Sequence, residues 1–199
     1  MIRSGFTSDP ELIEQGMVII LIGPMKVGKS TVARLLAERL GLERNGLDKR
    51  RWNYFGEIGY DEGYARRLAE TKGMQSVLSY WKPFEVYAVE RHLADAHDCV
   101  IDFGAGYSVQ DDPSLRERIR QALAPYPDVV LLQPCPDPAE SAAYLSERVS
   151  SELQGVNSHY LTDSANRELA TIVVYTAGKS PQETCDEVVE RLGPHPRGA

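Results

Sequence analysis

The sequence predicts a three-layer α/β domain, a mainly parallel five-stranded sheet with helices on both faces. Three observations carry this. Short apolar runs rich in Val and Ile alternate with stretches of helical periodicity along most of the chain. The first run, Met17–Ile22, is unbroken, as expected of a central strand buried on both sides. Finally, Asp112-Pro113, Asp137-Pro138 and Ser180-Pro181 each place a capping side chain before a proline at the first helical position.

The elements follow in order. After the strand Met17–Ile22, residues Lys29–Arg39 are predicted to be a helix. Val32, Leu35, Leu36 and Leu40 recur at helical spacing, and Gly41 ends the helix in a left-handed cap. A weak second strand falls near Leu42–Leu47 and ends at Asp48. Lys49–Lys82 is polar, aromatic and basic with no strand signal, which suggests short helices and loops in an insert covering a substrate. Pro83–Ala96 is predicted to be helical, with Val86, Val89 and Leu93 on one stripe. Cys99–Phe103 is a strand, Pro113 to Leu123 a helix, and Val129–Leu132 a strand. A further helix opens at Pro138, Ala170–Tyr175 is the last strand, and Ser180 with Glu183 forms a capping box for the final helix. The chain divides into one domain over 16–192, with the insert at about 49–82 and a lid at about 137–166. Residues 1–15 and 193–199 are expected to be flexible ends.

Composition narrows the partners. A chain of 199 residues suits one domain with a proper core. A net charge of −7 argues against a general nucleic-acid binder, which needs a basic surface to neutralise phosphates. No apolar run is long enough to span a bilayer, and Met1–Gln15 carries Asp9, Glu11 and Glu14, unlike a signal peptide. Cys99, Cys135 and Cys185 lie far apart without metal-binding spacing, so buried free thiols and a cytoplasmic setting are expected.

The decisive segment is Gly23-Pro24-Met25-Lys26-Val27-Gly28-Lys29-Ser30, a full match to GxxxxGK[ST], followed by Thr31. Glycines let the backbone wrap an anion so that amide hydrogens point inward. Lys29 brings a compact positive charge to the β- and γ-phosphates, and the Ser30 hydroxyl ligates magnesium. The loop follows a buried strand and opens a helix whose dipole favours the same negative charge. A nucleoside triphosphate, ATP in the first instance, and Mg2+ are the implied ligands.

Two carboxylates complete the pattern. Asp102 ends the apolar run Cys99-Val100-Ile101, where such enzymes hold magnesium; the bland reading is a turn cap. Phe103 follows it instead of a water-activating glutamate, which favours transfer to a bound acceptor over hydrolysis. Asp48, eighteen residues beyond Ser30, is placed to orient or deprotonate an acceptor hydroxyl, with a solvated turn aspartate as the alternative. Gly104-Ala105-Gly106 follows the Asp102 strand and allows a ligand close to the backbone.

With these residues together, the chain resembles the shikimate kinase branch of the P-loop small-molecule kinases, which share an adenylate-kinase-like fold. The resemblance runs from about Met17 to Leu192 and implies the strand order 2-3-1-4-5. It makes Asp48 the second residue of the family's Asp-x-Asp, which contacts the acceptor hydroxyl, and Gly104–Gly106 an imperfect match to its triple glycine. Three departures stand out. Gly46 replaces the magnesium-linked Asp, Glu85 replaces the arginine that grips the shikimate carboxylate, and the Arg-Pro pair of the lid is absent. They imply the family's phosphoryl chemistry with an acceptor other than shikimate.

Further candidates surround this core. Arg51, with the other basic and aromatic residues of the insert, suits a sugar, cyclitol or nucleoside carrying polar or anionic groups. Arg148, expected on the lid helix, could reach the γ-phosphate on closure. His159, beside Tyr160, Asn166 and Arg167, is expected near the acceptor, and Thr176–Lys179 near adenine. The expected activity is ATP-dependent phosphorylation of a small-molecule hydroxyl by a monomer or homodimer. The rivals are a nucleoside or nucleotide kinase, an antibiotic-modifying phosphotransferase, or a nucleotide switch without acceptor. The last lacks support from any Asn-Lys-x-Asp guanine motif.

Overall fold

The computed structural model describes residues 16–192; the two ends expected to be flexible, 1–15 and 193–199, lie outside the described residues. The sheet has five strands, β1 (Val18–Ile22), β2 (Glu43–Arg44), β3 (Cys99–Asp102), β4 (Asp128–Gln133) and β5 (Ile172–Tyr175), in the order β2-β3-β1-β4-β5. All four pairings are parallel. Strand β1 is central and buried at every position, which its unbroken Val-Ile-Ile-Leu-Ile sequence demands.

Helices cover both faces. One core layer joins β1 residues Ile19 and Leu21 to Val32, Leu36 and Val188 of helices α1 (Lys29–Leu40) and α9 (Pro181–Arg191). The other joins Ile20 and Ile22 to Phe84, Val89 and Ile119 of α4 (Met74–Ala94) and α5 (Pro113–Leu123). Between β2 and β3 lie a 3-10 turn at Leu47–Lys49, then α2 (Arg51–Glu57), α3 (Glu62–Lys72) and α4. Between β4 and β5 lie α6 (Pro138–Ser146), α7 (Ser151–Thr162) and α8 (Ala165–Leu169).

The punctuation matches its chemistry. Asp112 and Asp137 accept backbone N–H bonds at the starts of α5 and α6, and Ser180 and Glu183 form a reciprocal capping box on α9. Gly41 ends α1 in a left-handed conformation.

The structure corrects several expectations. Strand β2 is only two residues, and Asp48 lies in the 3-10 turn beyond it. Helix α4 does not begin at Pro83 but at Met74, and Pro83 lies inside it. The missing N–H bond is offset by packing, because Tyr80, Trp81 and Phe84 on that turn join Trp52, Phe55 and Tyr60 in one aromatic cluster. These rings pack largely on each other, with Trp52 left about half exposed. Strand β5 begins at Ile172 instead of Ala170. Cys99 and Cys185 are buried free thiols, but Cys135 is only part-buried, in the exposed turn after β4. Among the described residues no helix is long and apolar enough to cross a membrane.

Candidate active site

The loop between β1 and α1 is shaped by its neighbours. Gly23 has φ 136°, and a Cβ there would lie 2.2 Å from the Leu132 carbonyl of β4, so only glycine lets the chain leave the sheet this way. Lys26 holds a left-handed φ of 62° and Gly28 a φ of 105°, which turn the loop before the helix starts. Lys29 is buried, its ammonium donating to the Gly23 and Pro24 carbonyls at 2.9 and 2.7 Å. Burial lowers its pKa to about 8, against the opposing pull of Asp48 and then Asp102. Both carboxylates thus lie within electrostatic reach of the Lys29 ammonium.

Ser30 donates to Asp102 Oδ2 at 2.6 Å. This joins the first turn of α1 to the end of β3, the arrangement expected of a magnesium-holding hydroxyl and carboxylate. An arginine that the sequence reading passed over completes it. Arg44 at the end of β2 grips Asp102 with Nε to Oδ1 and NH2 to Oδ2, both at 3.0 Å. A Cβ on Gly46 would stand 3.0 Å from Asp102 Oδ1 and 3.5 Å from that guanidinium. The Arg44 guanidinium therefore borders the position where the family's aspartate would project, and it balances Asp102 there.

The acceptor side assembles around the loop after β3. A Cβ on Gly104 would lie 2.7 Å from Asp48 Oδ1 and 2.4 Å from the Tyr107 ring; one on Gly106 would lie 2.8 Å from the Tyr160 hydroxyl and 3.2 Å from Lys82 Nζ. Asp48, Gly104, Ala105 and Gly106 are therefore brought together as expected. Arg51 NH1 lies 3.8 Å from Asp48 Oδ1, with the guanidinium over the rings of Trp52 and Trp81. Glu85 is buried and paired to Lys82 at 3.1 Å. Burial pushes its carboxyl above the usual range, while Lys82 and Arg51 pull it back. Burial also raises the hydroxyls of Tyr107 and Tyr160, both of which feel the Glu85 charge.

Two expected residues stand elsewhere. Arg148 is not on a helix but in the turn after α6, where its guanidinium covers the Tyr144 ring at 4.7 Å. An exposed arginine beside a tyrosine gains this cation–π contact without desolvation. His159 turns to Asp111, 3.0 Å away, while its neighbour Tyr160 faces Gly106. From the same helix, α7, Asn157 Oδ1 accepts the Met25 N–H at 2.7 Å and so touches the phosphate loop. Its sequence signal was an asparagine in the apolar stripe Leu153, Val156, Asn157, Tyr160, Leu161. Lys82 was counted only as one of the insert's basic residues; Tyr107 and Gln110 were missed, and nothing local in the sequence marks them.

Comparison with known proteins agrees with this geometry. No family model matches. A shikimate kinase of Saccharopolyspora erythraea is 33% identical over 182 residues, spanning 87% of this chain and 92% of that one. The chain belongs to the shikimate kinase family. Another member, from Streptomyces avermitilis, is 30% identical over 184 residues, with 87% and 94% of the two chains covered. Among solved structures, the shikimate kinase from Acinetobacter baumannii in complex with shikimate superposes with a TM-score of 0.60 at 18% identity, over 89% of this chain and 93% of that one. A gluconokinase from Sinorhizobium meliloti gives 0.55 at 17% identity, over 88% and 90%. At such identities these two speak for the shared fold alone.

Proposed function

We propose that this family member transfers the γ-phosphoryl group of ATP to a hydroxyl of a small polar acceptor other than shikimate. The observation that carries the reading is convergence. Lys29 lies within the influence of both Asp48 and Asp102, and Asp48 borders Gly104. A donor cradle and an acceptor carboxylate thus share one cleft.

The residues from Gly23 to Thr31 would cradle the triphosphate through backbone amides, with Lys29 beside the transferred group. Ser30 and Asp102 would hold magnesium, and the hydrogen bond that joins the exposed Ser30 hydroxyl to the buried Asp102 carboxylate fits that ion. When bound, magnesium neutralises charge on the β- and γ-phosphate oxygens. Asp48 would orient the acceptor hydroxyl and receive its proton, with Gly104–Gly106 and Arg51 forming the acceptor wall. Arg148 would have to leave Tyr144 to reach the phosphates, and His159 to leave Asp111 to reach the acceptor. Asn157, already on the loop, would position the lid helix. Catalysis would rest on positioning and charge neutralisation, since phosphoryl transfer asks little covalent chemistry of the protein.

Glu85, paired to the Lys82 ammonium that also binds the Gly106 carbonyl, would oppose a substrate carboxylate and so disfavour shikimate. The test is a panel of sugars, cyclitols, nucleosides and shikimate incubated with ATP and magnesium, read by mass gain. A phosphorylated product other than shikimate phosphate is expected. Efficient phosphorylation of shikimate overturns the acceptor claim, and a panel without product overturns the transfer.

A further inference from the structure

The acceptor side carries charge that is already matched. Lys82 donates to Glu85 Oε2 at 3.1 Å, to the Gly106 carbonyl at 2.9 Å and to the Val109 carbonyl at 3.0 Å. Its three N–H donors are committed within the protein. Arg51 lies over Trp52 and Trp81 at 4.4 and 5.3 Å, with Asp48 as its acidic neighbour. Both cations act on Glu85, Lys82 by direct contact, so the protein itself supplies their carboxyl group.

A second observation concerns atoms left over. The Tyr107 hydroxyl, Gln110 Oε1 and Arg51 Nε are buried without a hydrogen bond of good geometry, the Arg51 guanidinium being a looser polar neighbour of the Tyr107 hydroxyl. Tyr107 is 2% exposed and Gln110 0%, and both belong to the segment that follows Gly104. Interiors leave few such atoms, and each asks for an explanation. Together they provide a hydroxyl, an acceptor and a donor. Alcohol groups, which donate and accept at once, complement all three. A carboxylate only accepts, and here it would also meet Glu85 and Asp48.

We infer that the acceptor is a neutral polyol without a carboxylate, its hydroxyls received by Tyr107, Gln110 and Arg51, with Glu85 and its committed partner Lys82 excluding anionic analogues. This rests on the phosphotransfer reading above and narrows its acceptor to one chemical class.

The experiment uses myo-inositol and glucose as neutral probes, and gluconate and shikimate as carboxylates, with ATP and magnesium. The wild-type protein should favour the neutral pair at least about tenfold in kcat/KM. Glu85→Gln should narrow that ratio by about tenfold, chiefly through a lower KM for the carboxylates. Tyr107→Phe supplies a control independent of Glu85. Because its hydroxyl makes no well-formed hydrogen bond, the free protein should lose little Tm, while KM for the neutral polyols rises about fivefold. Carboxylate preference in the wild-type protein, an unchanged ratio in Glu85→Gln, or a lower Tm with unchanged KM in Tyr107→Phe each overturns the inference. If none of the four yields product, the same probes are titrated calorimetrically into the ADP-loaded protein. Binding confined to the neutral pair then upholds the acceptor class while the transfer reading fails; binding of neither pair, or of the carboxylates, defeats the acceptor class.

Discussion

The two sides of the cleft are built differently. The proposed donor side is a short continuous segment, Gly23–Thr31, that offers backbone amides and one buried lysine. The acceptor side is gathered from Asp48, Arg51, Lys82, Glu85, Gly104–Gln110 and Tyr160, which meet only through the fold. A backbone cradle tolerates little change, because its geometry excludes other residues, as the Leu132 carbonyl does at Gly23. A side-chain pocket can be rewired pair by pair. Here Arg44 opposite Gly46 and Lys82 with Glu85 are such pairs. On the proposed reading, donor chemistry would stay with the family while acceptor chemistry departs from it.

The comparison can be broken most forcefully at Lys29. Lys29→Met should reduce kcat by at least about 100-fold in a steady-state assay with the fold intact. The same residue carries a proton signature. Burial holds its pKa at about 8, below the unfolded value, so its cost to stability is full below pH 8 and is relieved as pH rises toward 10.5. A bound polyphosphate would raise that pKa again. At about pH 9, calorimetry in buffers of different ionisation enthalpy should show proton uptake on ADP binding, absent in Lys29→Met.

Asp102 ranks next. Asp102→Asn should raise the magnesium requirement and lower turnover about 30-fold. Leaving Arg44 without its partner should also cost up to about 3 kcal/mol in denaturant unfolding. Stability loss without any change in magnesium dependence would confine Asp102 to the Arg44 pair and detach it from the donor side.

Asn157 sharpens the boundary between the halves, because it ties α7 to the donor loop. Asn157→Ala leaves the Met25 N–H unpaired, and a rise of about tenfold in KM for ATP is expected. A larger change in KM for the acceptor would move Asn157 to the other side of the comparison. The smallest effect belongs to Arg148. While it stays over Tyr144, Arg148→Ala should change kcat less than about threefold. A loss of 100-fold would mean that the turn swings inward during the reaction.

Legibility followed the same division. The phosphate loop and the proline-marked helices could be read because each depends on neighbours a few residues away, and the strand order, whose pairings span up to about 110 residues, came with the family resemblance. Asp48 and Gly104–Gly106 could be placed because strand ends deliver them to the same edge of a parallel sheet. Arg44 and Asn157 could not, since their partners lie 58 and 132 residues away. Helix α4 was cut short at Pro83 because proline is a strong local stop, and only the distant ring of Tyr60 and its neighbours shows why the helix continues. Arg148 and His159 were placed by analogy of position, while side-chain partners next to them, Tyr144 and Asp111, determine where they point.

The central claim is that the cradle at Gly23–Ser30 serves an acceptor held at Asp48, and acceptor dependence of ATP turnover tests it most directly. ADP release would be followed with and without a mixture of neutral polyols, for the wild-type protein and for Asp48→Asn. The account predicts ADP release that depends on the polyol, matches phosphorylated product mole for mole, and falls at least about 100-fold in Asp48→Asn. Rapid ADP release that is indifferent to both the polyol and Asp48 would contradict it.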